Sequence, residues 1–350
     1  MEEGLAMTTE KKRTIKMEKK TRVVIYGVGP IGAKIASFLY ERKNLEVAGA
    51  IDIDERKKGK DLAELAGLEK RSGILVEDNP GKALSGKKID AVVLATTSSL
   101  ARIREQLEGI LSCGINVVST CEELSYPWVT APETAAEIDA IAKRNNVSVL
   151  STGVNPGFLM DFLPIVMSGV CRNVEKITVE RIQNAAERRL PFQQKVGIGI
   201  TPGEFARKVK EGTLRHVGLT ESMHMISSRM GWKIDRTEDV IEPVIAEEPL
   251  TVNGKKIDRG RVLGVRQTGR GFSQGRELIT LVFVAAAGVS PAYDRTVIKG
   301  TPDIDVTIRN GVNGDIATCA IIANVIPVVM RAKPGLRTMA DIEPVSFFTG

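Results

Sequence analysis

"RVVIYGVGPIG", residues 22–32, decides the fold. Val23, Val24, Ile25 and Tyr26 form a β-branched and aromatic run suited to a buried strand. That run passes straight into Gly27-x-Gly29-x-x-Gly32, and "IGAKIASFLYERK" (31–43) then places Ile31, Ile35, Phe38 and Leu39 at helical spacing. Strand, glycine loop and helix in that order predict a dinucleotide-binding turn. Gly27 permits the tight turn, Gly29 lets backbone approach a pyrophosphate, and Gly32 lets the helix pack on the strand. The helix opens at Pro30 and Ile31, and its N-terminus offers unpaired N–H groups and a positive dipole end to the phosphates. Glycine turns are common, so the motif gains its weight from this setting and from Asp52, which closes "LEVAGAID" (45–52). A carboxylate there accepts hydrogen bonds from the adenosine ribose. Asp52 disfavours a 2′-phosphate and so favours NAD, whereas Arg56, with Lys57 and Lys58, would accommodate NADP; both cofactors remain open.

Alternation continues beyond the loop. "IDAVVLATTSS" (89–99), "INVVSTCEE" (115–123) and "VSVLSTGVNPG" (147–157) read as strands, and "LARIREQLEGILSCG" (100–114) and "PETAAEIDAIAKRNN" (132–146) as helices. Near-continuous apolar strands between helices predict an α/β fold with a Rossmann-type, doubly wound parallel sheet. Ligands of such sheets bind beyond the carboxyl ends of the strands. Thr96, Thr97 and Ser98 end one strand and have the size to line a nicotinamide-ribose crevice, or else simply cap it. Glu122 and Glu123 follow the next, where a carboxylate would move a proton during hydride transfer; a solvated loop start is the alternative. Asn155, Pro156, Gly157 and Phe158 follow the third as candidate substrate contacts. Cys121 lacks the nearby histidine that a thiol nucleophile needs.

After residue 157 the pattern changes to longer strands, at 174–185, 262–275, 276–288 and 303–312, with helices at 201–212 and 218–231. These predict a second α+β domain on a mixed or antiparallel sheet, with Met223, Ile226 and Met230 as core. The expected organisation is a basic arm (1–20), a dinucleotide-binding domain (21–157), a substrate and dimerisation domain (158–313), and a C-terminal helix and tail (314–350) returning to the first domain.

Composition excludes several function classes. Aromatics are 4% of the 350 residues, too few for a base-stacking surface, so no nucleic-acid partner is expected. Much of the +6 net charge lies in the arm "EKKRTIKMEKK" (10–20), which lacks a signal-peptide apolar region and is incidental if Met17 is the true start. "IATCAIIANVIPVVM" (316–330) is too short to span a bilayer, so no membrane partner is expected. Four cysteines without metal-ligand spacing, and only two histidines, argue for reduced thiols, a cytoplasmic protein and no metal.

Taken together, "VVIYGVGPIG", "GAIDID", "DAVVLATTSS", "NVVSTCEELSYP", "STGVNPGF" and "GDIATCAIIANVIPVV" resemble the dihydrodipicolinate-reductase-like superfamily, and within it 2,4-diaminopentanoate dehydrogenases and native amine dehydrogenases. The resemblance spans about residues 21–350. Dihydrodipicolinate reductases proper carry an adjacent histidine pair followed by lysine, absent here. Homoserine dehydrogenases place Asn-Lys where this chain has Cys121-Glu122. The resemblance implies NAD(P)-dependent oxidative deamination, with Glu122, or as second choice Glu123, holding the amine and activating water. It also implies a homodimer and an approach of Asn324 to the nicotinamide. A substrate amino acid needs its carboxylate held, and "ERIQNAAERRLPFQQKVG" offers Arg181, Arg188, Arg189 and Lys195, of which Arg181 and Lys195 are favoured. Alternatives are reduction of another small carbonyl or cyclic imine, amine dehydrogenation of simple alkyl amines, and non-catalytic NAD binding.

Overall fold

Strands with apolar residues on both faces need cover on both faces, and the first half of the chain meets that need with a parallel sheet. The computed structural model describes residues 20–86 and 88–349; the basic arm and Met17 lie outside the described residues. Strands β1 (Thr21–Tyr26), β2 (Leu45–Ile51), β3 (Val76–Glu77), β4 (Ala91–Leu94), β5 (Asn116–Ser119) and β6 (Ser148–Ser151) pair in parallel in the order β3-β2-β1-β4-β5-β6. Between them run α1 (Pro30–Tyr40), the short α2 (Leu62–Leu65) and α3 (Pro80–Leu84), α4 (Leu100–Ser112), α5 (Pro127–Thr130) and α6 (Pro132–Arg144). Side chains alternate between two cores. Val23, Ile25 and Val93 pack with Ile35 and Leu39 of α1, and Val24, Val92 and Val117 with Ile103 and Leu107 of α4. The order reverses between β1 and β4, which opens the crevice where ligands of doubly wound sheets bind.

Three strands end sooner than the sequence suggests, and the run at 89–99 is strand only from Ala91 to Leu94. The run at 115–123 is strand only to Ser119, and that at 147–157 only to Ser151. The serines turn the chain with their own hydroxyls. Ser119 Oγ donates to the Leu94 carbonyl at 3.0 Å, and Ser151 Oγ donates to the Cys121 carbonyl at 2.6 Å. Ser119 Oγ also accepts from the Cys121 N–H two residues on (3.1 Å), a local bond of the kind that competes with the sheet ladder.

The second sheet is mixed. It contains β7 (Asn173–Asn184), β8 (Arg236–Ile245), β11 (Val262–Ser273), β12 (Arg276–Ala286), β13 (Tyr293–Thr301) and β14 (Ile304–Arg309), in the order β14-β13-β7-β12-β11-β8. A separate hairpin pairs β9 (Leu250–Val252) with β10 (Lys255–Ile257). β7 and β12 run parallel and the other neighbours antiparallel. β8 and β13 escape sequence reading because charged residues interrupt both ("RTEDVIEPVI", "YDRTVIKGT"). Helices α7 (Phe162–Ser168), α8 (Leu190–Lys195), α9 (Pro202–Lys210) and α10 (Leu219–Met230) complete this half. A capping box between Thr201 and Glu204 starts α9, and Met223 and Ile226 of α10 enter the core against Ile279 and Leu281.

The chain then returns. α11 (Gly314–Val329) is apolar nearly all round, and Ile322, Ala323 and Ile326 share a core with Ile25 and Ile35. β15 (Gly335–Arg337) pairs with β6 and makes a seventh parallel strand that the sequence pattern, at three residues, does not announce. Among the described residues no helix is long and apolar enough to cross a membrane.

Where α10 meets α5, Glu221 is buried, and burial above all, with the neighbouring Glu123 charge, pushes its carboxyl up to about 7. Between about 4.5 and 7 the folded chain keeps a proton that the unfolded chain has lost, so this residue's contribution to stability falls as pH rises through that window. Glu221→Gln should therefore stabilise the fold at pH 8, by at most about 3 kcal/mol, and raise the melting temperature there but not at pH 4. Thermal unfolding at the two pH values checks this; an equal change at both contradicts it.

Candidate active site

Three glycines shape the crevice by what they lack. A Cβ on Gly32 would lie 1.8 Å from the Gly27 carbonyl oxygen, and one on Gly27, at φ +98°, 2.5 Å from that of Ala95. Backbone therefore packs on backbone here. A Cβ on Gly29 would meet no atom within 4 Å, so this glycine keeps open the space into which α1 points its N-terminus. Pro30 is the first residue of that helix and is exposed, and Ile31 turns into the neighbouring cavity. Asp52 anchors the loop: its carboxylate accepts from the Val28 N–H (2.8 Å), the Asp54 N–H (2.9 Å) and Lys57 Nζ (2.8 Å). The crevice wall includes Asp52, Ile53, Lys57, Thr96, Thr97 and Arg102. Ile53 is 79% exposed, an apolar side chain left open to a flat ring. Arg56 does not reach the crevice; it makes a two-pronged pair with Asp54 (2.9 and 2.8 Å) and its side chain is 88% exposed. Lys57 and Arg102 are the cations that stand there instead.

Thr96 and Thr97 also line an adjoining cavity of about 380 Å³, together with Ser98, Thr120, Glu122, Asn155 and Thr318. The turn that carries Glu122 is held from every side. The Ser98 carbonyl accepts from Cys121 Sγ (3.1 Å) and the Glu123 N–H (3.3 Å), and Ser125 Oγ donates to the Glu122 carbonyl (2.7 Å). The two glutamates then part company. The Glu123 carboxylate accepts from the Leu100 N–H at 2.8 Å and caps α4. That of Glu122 has no hydrogen-bond or ion-pair partner among the described residues and lines the cavity. It also borders a second cavity of about 50 Å³, walled by Thr120, Ser151, Thr152, Asn155, Pro156 and Thr318. Cys121 is buried, and that burial pushes its thiol far up, so no thiolate forms there at neutral pH.

The far wall of the large cavity is built by the second sheet (Arg181, Gln183, Phe283), the turn before α8 (Arg188), α8 itself (Phe192, Lys195) and the loop before α10 (His216). Arg181 is committed inward. It bonds Asp294 (3.3 Å) and the Val312 carbonyl (3.0 Å), and burial lowers its guanidinium to about 10 despite the Asp294 charge. Arg188 stacks on Phe192 (4.2 Å) and bonds Gln183 (3.0 Å) and Asp315 (2.9 Å), the first residue after the Gly314 that opens α11. The sequence offers Arg188 as a candidate behind Arg181 and Lys195, and it does not single out Thr318 or Gln183, since nothing in strand or helix periodicity separates these from ordinary surface polar residues. Lys195 is exposed at the cavity mouth, and no described residue pairs with its ammonium. His216 packs on Phe283 (4.4 Å between ring centroids), and burial above all, with the charges of Lys195, Arg181 and Arg215, lowers it to about 3. It is a neutral imidazole at physiological pH.

Three expected contacts fall elsewhere. Gly157 and Phe158 leave the cavity: the Gly157 N–H bonds Asp161 (2.8 Å), and Phe158 packs into the second core beside Phe162. Asn324 accepts from Arg42 (3.2 Å), just past the C-terminal end of α1 and so a helix length from the glycine loop. On α11 it is Thr318 that reaches the cavity, where its hydroxyl accepts from the Val154 N–H at 3.2 Å.

Residues 21–153 match an oxidoreductase family with an NAD-binding Rossmann fold, and residues 158–348 match the 2,4-diaminopentanoate dehydrogenase C-terminal domain. A 2,4-diaminopentanoate dehydrogenase of Acetoanaerobium sticklandii is 33% identical over 93% of this chain and 94% of its own length. An amine dehydrogenase of Streptomyces virginiae is 22% identical over 91% of this chain and 95% of its own. In fold, the chain is similar to an amine dehydrogenase from Mycobacterium smegmatis, with a TM-score of 0.82 at 24% identity, covering 94% of this chain and 98% of that one. The chain belongs to the 2,4-diaminopentanoate dehydrogenase family and carries an NAD-binding Rossmann domain.

The open space at Gly29 is the cradle a dinucleotide pyrophosphate requires. Gly29→Ala should leave the melting temperature within about a degree, because its Cβ meets nothing, and weaken NADH binding at least about tenfold. Fluorescence titration checks this; unchanged affinity would show that the phosphates lie elsewhere.

Proposed function

We propose that this member of the 2,4-diaminopentanoate dehydrogenase family carries out NAD(P)-dependent oxidative deamination of 2,4-diaminopentanoate, giving 2-amino-4-oxopentanoate and ammonia. The observation that carries the reading is the unpartnered Glu122 carboxylate, which faces the cavity continuous with the glycine-loop crevice. The residues that would hold the cofactor are Gly27, Gly29 and the α1 N-terminus for the phosphates, Asp52 and Lys57 for the adenosine ribose, and Thr96 and Thr97 between the two cavities. When bound, NAD(P)+ supplies the acceptor for the hydride that leaves the amine-bearing carbon.

Glu122 does the rest of the proton work. It pairs with the C4 ammonium and takes one proton, because only the neutral amine has the lone pair that expels hydride. Once Glu122 has passed that proton to solvent, water attacks the iminium carbon, and the carboxylate relays the water's proton toward the departing ammonia. Over the whole reaction, ammonium substrate, NAD(P)+ and water give ketone, ammonium ion, NAD(P)H and one proton. The cavity of about 50 Å³ beside Glu122 has room for one water and polar partners in Thr120, Ser151 and Thr152. Arg188 and Lys195 make the opposite wall positive, in keeping with a substrate that carries a carboxylate.

The finer organisation follows the same reading. The sheet face opposite the helices carries Val240 exposed and Val282, Val284, Ile182 and Val244 grouped beside it, which supports a homodimer joined through that face, readable from the sedimentation coefficient. Unpaired thiols at Cys113, Cys121, Cys171 and Cys319 support a cytoplasmic location.

Glu122→Gln should lower kcat at least about a hundredfold while NADH still binds. Glu123→Gln should keep most of the activity and lose about 1 kcal/mol of stability with its helix cap. Steady-state rates and thermal melts of both variants check this. The reverse pattern would assign the chemistry to Glu123.

A further inference from the structure

Few polar side-chain atoms are both buried and without a partner among the described residues, and most of those belong to residues lining the two cavities: Thr152 Oγ1, Asn155 Oδ1, Arg188 Nε and His216 Nδ1. An unsatisfied buried polar atom costs about 1–3 kcal/mol, so a concentration of them in a cavity wall marks atoms that a ligand completes. Two belong to one pair. The side chains of Asn155 and His216 meet at 3.3 Å, through the Asn155 amide nitrogen and His216 Nε2.

The pair has a property that does not depend on how its protons are placed. If the Asn155 amide donates to Nε2, the ring proton sits on Nδ1, leaving one free donor there and one free acceptor at Oδ1. If the amide is turned over, Nε2–H donates to the carbonyl oxygen. Nδ1 is then the free acceptor and the NH2 group the free donor. Either way at least one donor and one acceptor are left over. Both belong to side chains held in place. The His216 backbone N–H donates to Gln267 Oε1 (2.7 Å), whose own amide donates back to the His216 carbonyl (3.0 Å) and to Asp239 (2.9 Å). Behind Asn155, a Cβ on Gly218 would lie 2.5 Å from Pro156, so α10 abuts that loop without a gap.

A ligand group that gives a hydrogen bond and takes one at neighbouring atoms is the head of an α-amino acid, with its ammonium and carboxylate on one carbon. We propose that Asn155 and His216 form the subsite that reads this head, with Arg188 and Lys195 supplying its positive surroundings, and so set preference for a diamino acid over a simple amine. The proposal rests on the diaminopentanoate reading above. A neutral imidazole suits the task, because a second proton would leave the pair two donors and no ring acceptor. The large cavity places the pair and Glu122 in one chamber, and Asn155 also borders the small cavity beside Glu122.

The test compares 2,4-diaminopentanoate with 2-aminopentane, which has the same carbon skeleton and reacting amine but no amino-acid head. The measured quantity is the ratio of their kcat/KM values, for wild type, His216→Phe and His216→Gln. Phenylalanine preserves the packing on Phe283 and removes both ring nitrogens; glutamine restores a donor and an acceptor. The ratio should fall at least about thirtyfold in His216→Phe, mainly through KM of the diamino acid, and recover in part in His216→Gln. NADH titration of each variant reports whether the fold and the cofactor site survive. A ratio unchanged in His216→Phe, with both substrates slowed alike or neither affected, overturns the proposal. Failure of wild type to oxidise the diamino acid while it oxidises 2-aminopentane removes the substrate reading first, and the subsite with it.

Discussion

Backbone packed against backbone, at Gly27, Gly32 and Ala95, is the constraint on which the rest depends. Because a Cβ on Gly32 would lie 1.8 Å from the Gly27 carbonyl oxygen, no side chain fits between strand and helix, and α1 sits directly over the end of β1. That closeness aims the helix N-terminus at the crevice, and Asp52 locks the intervening turn through Val28. It also brings the ends of β4 and β5 beside the crevice, where Thr96, Thr97 and the Glu122 turn share a wall with the second cavity. One steric fact thus sets the distance between cofactor loop and carboxylate.

The serine-braced turn after β5 is the second element of the design. Ser98, Ser119, Ser125 and Ser151 satisfy the backbone groups that the strands leave when they stop. Glu122 therefore needs no partner of its own to hold its place, and its carboxylate is spared for a ligand. The charges opposite are balanced differently. Arg181 spends its charge on Asp294, and Arg188 and Arg189 share Asp315, while Lys195 has no such partner among the described residues. The wall keeps a net positive character that burial alone would not allow.

Much of this was legible in the sequence because it is local. The glycine loop, Asp52, the strand-end threonines and the Glu122-Glu123 pair each follow from a strand meeting a turn, and the parallel sheet from alternation. What was not legible depends on direction or on long-range contact. Arg56 and Lys57 are neighbours in the chain, yet one turns to Asp54 and the other to Asp52. Asn324 lies six residues beyond Thr318, over one and a half helical turns along α11, and so faces Arg42 and not the cavity. Glu122 and Glu123 are indistinguishable until the Leu100 N–H claims one of them. The Asn155–His216 pair joins residues sixty-one apart and carries no periodic signal at all.

An enzyme that oxidises an amine to a ketone consumes ammonia when it runs in reverse. The most direct measurement is NAD(P)H oxidation with 2-amino-4-oxopentanoate, in the presence and absence of ammonium. The expected result is oxidation that depends on ammonium, saturates with it, and yields 2,4-diaminopentanoate. Oxidation at the same rate without ammonium, yielding the 4-hydroxy compound, would contradict it and make the protein a carbonyl reductase.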